Sequence, residues 1–327
     1  MISNSAVSVF LKSVGVCLIS ALLAFDATAQ IFPNRPITAI WPYAAGSTTE
    51  AGFRAMYAEA SKLLGQPILF DIRPGAGGRI GILAVGRAPA DGYTLSIGNE
   101  AVLAVLAQYS DSFRVRPVKD YAPVQKAVSF FHVVTAHSSV PFRDLKGLIA
   151  YAKANPGKLN YGSSGVGGTH HLYWEQLTSA AGIELTQIPY KGGAQVVPEI
   201  IAGRVQLFSW LPGDLKPYID SGQLVAIATT GSNRLLEFPN IPTLREQGLP
   251  LTLGSWVGIV TSPSTPEAIV SKLNAAFNSA IKVPVVAKTF TDSGYYPVGG
   301  SPEELTAQIN SDLITYQPIV KRLGLKA

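Results

Sequence analysis

Apolar and polar positions follow one another along the chain in blocks that predict alternating strands and helices. The apolar run Ile37–Trp41 is typical of a buried strand, and residues 51–64 predict the helix that follows it. Residues 67–72, 80–85 and 93–97 then predict a strand, a helix and a strand. This alternation indicates a parallel, doubly wound α/β sheet, because each strand returns to the same sheet through a helix.

A second alternating series predicts a second sheet of the same kind. The apolar residues 127–135 are expected to connect the two halves, and residues 143–155 to form an amphipathic helix. The elements predicted after it are strands at 158–161, 184–189, 205–209 and 224–229 and helices at 169–181, 195–202 and 215–221. A return strand at 255–260 precedes helices at 267–281, 285–293 and 302–323, with no further strand among them.

The terminal helices have no new strands to cover, so we expect them to pack on the first half and make it discontinuous. The predicted boundaries are residues 1–29 for a signal peptide, 30–130 with 254–327 for domain 1, and 131–253 for domain 2. Two lobes linked in this way are the layout of a hinged binding protein that holds its ligand between the lobes.

Each half opens with a strand, a loop of small residues and the start of a helix. The two loops occupy residues 43–49 and 162–169. Backbone N–H groups and the positive end of a helix dipole come together in such a loop, so both loops are predicted anion sites. Asn99 and Glu100 follow the third strand, and Trp210 follows a strand of the second half, at carboxyl ends where open α/β sheets place ligands.

Composition restricts which cellular compartment and which classes of partner are expected. Residues 14–25 are apolar, follow Lys12 and precede Ala27-Thr28-Ala29, which predicts a secretory signal peptide cleaved after Ala29. The one cysteine, Cys17, lies inside that stretch, so the mature chain has no thiol for disulfides, metal binding or nucleophilic attack. The net charge is +5, but the basic residues are dispersed and no nucleic-acid motif occurs, so no nucleic-acid partner is predicted.

Nucleotide and metal motifs are incomplete in this chain. The glycine patterns at 75–80 and 165–170 lack the last glycine of a dinucleotide fingerprint, and no GxxxxGK[ST] phosphate loop occurs. His170 and His171 are adjacent on a predicted helix and point to different sides, without HExxH spacing, so no metal is predicted. One of the two is expected to face the cleft as a hydrogen-bond donor, and the other to be packed or solvated.

A secreted serine hydrolase is the alternative from a different class. Ser164 lies in a strand-to-helix loop two residues after Gly162, but Val166 stands where a nucleophile elbow has its second glycine. In this alternative His171 is the base. Because no acid–base pair is evident beside the two loops, binding without catalysis is predicted.

Short segments spread over the mature chain form a family pattern. They are RPI at 35–37, WPYAAG at 41–46, RPGAGG at 73–78, DGYTL at 91–95, AKANPGK at 152–158, YGSSGVG at 161–167, HL at 171–172, PYKG at 189–192, IPT at 241–243 and Asn274. In this order they resemble the Bug family, the TctC-type periplasmic receptors of tripartite tricarboxylate transporters. The resemblance implies a type II periplasmic binding protein fold, with two doubly wound α/β lobes joined by a two-segment hinge and a ligand cleft between them.

The resemblance also implies where the ligand binds. In the family one carboxylate is held at the first loop, which maps onto residues 43–48, and the second lobe contributes residues 163–169. This chain departs from the usual family residues in these loops at Ser47, Glu50 and Gly168. At Ser209 a common acidic residue is missing, which disfavours an amino-acid ligand and leaves a dicarboxylate or an aromatic carboxylate.

The predicted function is capture of a small organic carboxylate for a tripartite tricarboxylate-type membrane transporter. The protein is expected to be a periplasmic monomer without enzyme activity, cofactor or metal; a receptor that reports to a sensor kinase stays open as a further alternative. The predicted ligand-binding residues are Tyr43, Ala44, Ala45, Gly46, Ser47, Thr48, Asn99, Ser163, Gly167, Gly168, Thr169, His170, Ser209 and Trp210.

Overall fold

The computed structural model describes residues 32–43, 45–46, 48–75, 78–105, 108, 116 and 118–324, with only the backbone of Thr48. The predicted signal peptide and the site residues Ala44 and Ser47 lie outside the described residues. The chain divides into the units Met1–Asn34 and Arg35–Ala327, and the elements below all belong to the second unit. Each helix in these described ranges is too short or too polar to cross a membrane.

Strands and helices alternate over most of the described chain. The strands are β1 (Ile37–Trp41), β2 (Ile68–Ile72), β3 (Thr94–Gly98), β4 (Ala122–Phe131), β5 (Val133–His137), β6 (Asn160–Ser163), β7 (Thr186–Pro189), β8 (Leu207–Trp210), β9 (Leu224–Thr229), β10 (Gly254–Thr261) and β11 (Tyr295–Pro297). The α-helices are α1 (Thr48–Leu64), α2 (Arg79–Gly86), α3 (Leu145–Ala154), α4 (Thr169–Ala181), α5 (Val196–Ile201), α6 (Pro212–Asp220), α7 (Glu267–Ala280), α8 (Pro284–Thr291) and α9 (Pro302–Arg322). A π-helical turn, Ala101–Val105, follows β3.

The first sheet has six strands in the order β11-β4-β10-β3-β1-β2. β1 is parallel to both of its neighbours, β2 and β3, as the sequence predicts. β10 returns antiparallel to β3 and β4, and β11 is antiparallel to β4. The parallel part of the sheet therefore has the carboxyl ends of β1 and β3 at one edge, where ligands bind in open α/β sheets.

Helices cover the first sheet and explain why β1 is apolar at each of its positions except Thr38. A strand covered on both faces carries apolar residues continuously rather than in alternation. Trp41 of β1 packs on Phe53 of α1 and Phe70 of β2, with ring centroids 5.8 and 5.9 Å apart. The late helices α7 and α8 pack on α1, and α9 packs on β4. The terminal helices thus pack on the first sheet and its helix α1, as expected. The first sheet and all the helices that cover it form the first lobe.

The second sheet has five strands in the order β7-β6-β8-β5-β9. β6 is parallel to β7 and β8, whereas β5 is antiparallel to β8 and β9. Its core includes Tyr161 of β6 stacked on Trp174 of α4, with centroids 5.3 Å apart. This sheet and its helices form the second lobe.

The chain crosses between the two sheets twice. The first crossing is a single residue, His132, between β4 and β5, and the second follows β9. The two crossings are hydrogen-bonded to each other, because the His132 N–H donates to Thr230 Oγ1 at 2.8 Å and the Thr230 N–H donates to the His132 carbonyl at 2.9 Å. The two-lobed α/β fold with a two-segment hinge is confirmed, and the numerical domain boundaries stay a prediction.

Residues 127–135 connect the two halves, as predicted, and they do so as the end of β4, His132 and the start of β5. One expectation about strands is wrong. A strand, β11, does follow the return strand. It has three residues and pairs with a strand far away in sequence, so no local pattern marks it.

Candidate functional site

The carboxyl-terminal edges of the two sets of parallel strands face each other. Asn99 and Glu100 follow β3 in the first lobe, and Thr169 begins α4 after β6 in the second. Asn99 Nδ2 donates to Thr169 Oγ1 at 3.3 Å, and Thr169 Oγ1 donates to Glu100 Oε1 at 2.7 Å. Two edges that open α/β sheets use for ligands therefore meet across one boundary.

The first loop is shaped by an acidic residue of the helix that follows it. Gly46 has a φ of 91°, a left-handed conformation that favours glycine, and its N–H donates to Glu50 Oε2 at 2.8 Å. Arg54 Nε donates to the other carboxylate oxygen of Glu50 at 2.6 Å. The Gly46 amide is therefore occupied by the chain's own carboxylate, while Ala45 and Gly46 remain exposed.

Glu100 is a buried carboxylate between the lobes, with 1% of its surface exposed. Besides the Thr169 hydroxyl, it accepts a hydrogen bond from the Ser255 hydroxyl of β10. Burial raises the pKa of Glu100 to about 7, and the hydrogen bonds from Ser255 and Thr169 oppose that rise. Burial also raises the pKa of Tyr43 in the first loop, and the charge of Glu100 adds to that rise.

The second loop satisfies much of its own polarity internally. Ser163 Oγ accepts from Gln187 Nε2 at 2.7 Å and from the Gly165 N–H at 3.3 Å. The Gly167 N–H donates to His171 Nδ1 at 3.0 Å, and the Gly168 N–H donates to the Gly165 carbonyl at 3.2 Å. The loop is thus preformed by its own contacts.

Both histidines at the start of α4 are buried and neutral. Burial lowers the pKa of His170 to about 3 and that of His171 to about 4. His171 Nδ1 accepts from an amide, so its proton is on Nε2, which lies 3.7 Å from Glu175 Oε1. His170 Nδ1 lies 2.8 Å from Ser164 Oγ. The Ser164–His171 pair of the hydrolase alternative is therefore wrong, because the serine contacts His170.

An aromatic cluster links the hinge to the end of β8. The His170 ring lies nearly parallel to the His132 ring, with their centroids 5.2 Å apart. Its centroid lies 4.9 Å from that of the Trp210 ring. His132 Nδ1 and His170 Nε2 are buried and have no hydrogen-bond partner among the described residues. The buried Ser209 hydroxyl likewise has no partner in the described part of the chain. This cluster places polar atoms of the second lobe beside the boundary without pairing them.

Trp210 is oriented by a carboxylate that the sequence did not single out. Its Nε1 donates to Asp214 Oδ2 in α6 at 2.6 Å. Burial raises the pKa of Asp214. Burial also raises the pKa of Tyr295 in the first lobe, and the charge of Asp214 adds to that rise. Asp214 and Glu100 therefore both supply acidic groups at the boundary.

The predicted site residues outside the first loop lie either at the boundary or within the second lobe. The structure joins Asn99 to Thr169 across the boundary and places His170 against Trp210 in the aromatic cluster. Ser209 lies instead beside Val134, Trp174 and Thr230. Ser163, Gly167 and Gly168 contact their own lobe. Asp214, four positions after Trp210, was missed. Glu100 was predicted to follow the third strand beside Asn99 but was not among the predicted ligand-binding residues. Across the described ranges, no group of three or more His, Cys, Asp or Glu side chains could hold a metal ion.

Two α/β lobes with facing strand ends and two chain crossings define the class of hinged solute-binding proteins. A family model described as "Tripartite tricarboxylate transporter family receptor" matches residues 53–325. The chain belongs to this TctC family, which confirms the resemblance drawn from its motifs.

Three known proteins show how far the similarity extends. Protein BugT of Bordetella pertussis is 30% identical over 319 residues, covering 97% of this chain and 98% of BugT. The solved structure of Rpa4515 of R. palustris with adipate has a TM-score of 0.82 and 29% identity, covering 90% of this chain and 99% of that one. The solved structure of MatC of Rhodopseudomonas palustris with bound malate has a TM-score of 0.80 and 28% identity, covering 88% of this chain and 100% of that one.

Proposed function

We propose that this protein is a periplasmic receptor that closes on a small organic carboxylate between its two lobes and delivers it to a tripartite tricarboxylate-type transporter. The observation that carries the proposal is the meeting of the two strand-end edges at Asn99, Glu100 and Thr169. The malate and adipate of two structural relatives support a carboxylate ligand. The monomeric state and export by a signal peptide cleaved after Ala29 are parts of the same proposal.

Two helix starts supply the attraction for an anion. α1 begins at Thr48 after the first loop, and α4 begins at Thr169 after the second. The N-terminal N–H groups and the dipole of each helix favour negative charge within about one turn of its start. The ligand is therefore proposed to lie between residues 43–48 and residues 163–169, with Asn99 as a neutral side-chain donor, because its amide has a second N–H beside the one donated to Thr169.

Binding rather than hydrolysis is proposed for the Ser164 loop. His170 is the imidazole next to Ser164, and its other nitrogen has no hydrogen-bond partner in the described residues, so no carboxylate orients the ring. A pKa of about 3 makes His170 a weak base near neutral pH. A triad needs both an orienting acid and a base with a pKa near the working pH.

Calorimetry after removal of co-purified ligand tests this function. The protein is unfolded in denaturant, dialysed, refolded and titrated with adipate, malate, benzoate and glutamate, with maltose and phosphate as controls. We expect saturable heat from at least one carboxylate and none from maltose. Heat from maltose or phosphate alone, or from none of the compounds, would contradict the proposal.

Ser164→Ala separates the proposal from the hydrolase alternative. The variant is compared with the original protein in the same titrations and in an ester-hydrolysis assay with p-nitrophenyl acetate. We expect carboxylate binding in both proteins and no turnover in either. Turnover that disappears in Ser164→Ala while binding persists would support the enzyme.

A further inference from the structure

Glu100 is held by both lobes but has only neutral donors around its carboxylate. Thr169 of the second lobe and Ser255 of the first donate hydroxyl hydrogen bonds to it, and 1% of its surface is exposed. No lysine or arginine pairs with it among the described residues. A carboxylate that loses water without gaining a cation is destabilised in its charged form.

The titratable groups that face Glu100 add no positive charge. They are Tyr43 of the first loop, Tyr173 of α4 and Asp312 and Tyr316 of α9. Burial raises the pKa of each tyrosine, so all three are neutral near pH 7. Asp312 accepts from Trp256 Nε1 at 2.7 Å, and its charge opposes ionisation of Glu100.

Opening of the lobes would change the surroundings of Glu100 on the side that faces the second lobe. Thr169 would leave with the second lobe and water would replace it, so Glu100 would return towards the ordinary pKa of a glutamate. Closure would remove the water again, and a ligand carboxylate arriving beside Tyr43 would bring further negative charge. Each change favours the protonated form of Glu100 in the ligand-bound protein.

We propose that Glu100 takes up a proton from solvent when the lobes close on a carboxylate, so that ligand capture is coupled to protonation of this side chain. The proton binds a carboxylate oxygen of Glu100, whose charge changes from −1 to neutral, and no other bond is made or broken. This inference rests on the proposed function and states that proton uptake accompanies ligand binding.

The sign of the pH dependence follows from linkage. In this structure, where Thr169 of the second lobe contacts Glu100 as it would in the closed form, the pKa of Glu100 is about 7, above the value of a solvated glutamate. The closed protein therefore binds more protons than the open one between these two pKa values, and affinity rises as pH falls through that interval. The slope approaches about tenfold per pH unit and disappears above about pH 8.

Calorimetry in pairs of buffers with different ionisation enthalpies, such as PIPES and imidazole, counts the protons. Adipate and malate are the probes, and the slope of observed heat against buffer enthalpy gives the number of protons taken up. We expect uptake of about one proton at about pH 6, about half at pH 7 and almost none at pH 8. Glu100→Gln, which keeps an acceptor oxygen but cannot titrate, should bind with no uptake at any pH.

Two further variants keep the test decisive if Glu100→Gln fails to fold. Thr169→Val removes one donor to the carboxylate, so uptake should persist to higher pH. Asp214→Asn removes the other boundary carboxylate and should leave uptake unchanged. Loss of uptake in Asp214→Asn, or binding without uptake in the original protein, would overturn the inference while the proposed function stands. Absence of heat with every carboxylate would overturn both.

Discussion

Glu50 and Glu100 are two buried glutamates of the first lobe with opposite surroundings. Glu50 accepts from the Gly46 N–H and from the guanidinium of Arg54, which lies 2.6 Å away. Glu100 accepts from two hydroxyls, one of which belongs to the other lobe. Glu50 therefore holds the first loop in shape within its own lobe. Glu100, in contrast, would lose its hydrogen bond from Thr169 when the lobes separate.

The largest expected effect comes from removing the charge of Glu50. Glu50→Gln weakens the charged hydrogen bonds to Gly46 and Arg54, so the free energy of unfolding should fall by about 2 kcal/mol. Urea denaturation monitored by circular dichroism measures it. Glu59→Gln is the matched control on the same helix, where the partner is exposed Lys62, and it should cost less than about 0.5 kcal/mol. Equal losses in the two variants would contradict the structural role of Glu50.

Glu100→Gln should have a smaller effect of the opposite sign. The folded protein holds a proton on Glu100 up to about pH 7, whereas the unfolded chain loses it at the ordinary lower pKa. Glu100 therefore lowers the stability of the fold progressively from its unfolded pKa up to about pH 7 and to the full extent above it, so the substitution should raise the free energy of unfolding by about 1 kcal/mol at pH 8. The gain should shrink as pH falls. A loss at both pH 8 and pH 5 would show that Glu100 stabilises the fold as an anion.

A double-mutant cycle gives the smallest effect and sharpens the comparison most. Glu50→Gln and Arg54→Gln share an interaction, so their coupling should be about 0.5–1 kcal/mol. The Arg54 side chain is 49% exposed, which limits the coupling through solvent screening. Glu50→Gln and Glu100→Gln have different partners and should be additive. Coupling between the two glutamates that exceeds the ion-pair coupling would contradict their independence.

Much of the fold could be predicted from local sequence. The strand Ile37–Trp41 and the helix Thr169–Ala181 have the predicted bounds, because apolar runs and glycine loops mark them locally. Helix α6 begins at Pro212, three residues before its predicted start, since proline is suited to the first helical turn. The three-residue β11 was missed because its pairing with β4 is a long-range property.

The site was less predictable because its contacts cross large sequence separations. Asn99 and Glu100 were equally placed after β3, and only the position of Thr169 shows that Glu100 is buried between the lobes. Ser164 contacts His170 rather than His171, which depends on how the loop enters α4. Local motifs therefore located the two strand-to-helix loops, but only the folded structure shows which side chains in them contact each other.

A crystal structure of the protein with adipate, or with the carboxylate that gives the strongest calorimetric response, tests the central claim most directly. We expect one ligand carboxylate between residues 43–48 and residues 163–169, within hydrogen-bond distance of both lobes. Ligand bound to one lobe alone, or at a surface away from Asn99 and Thr169, would contradict it.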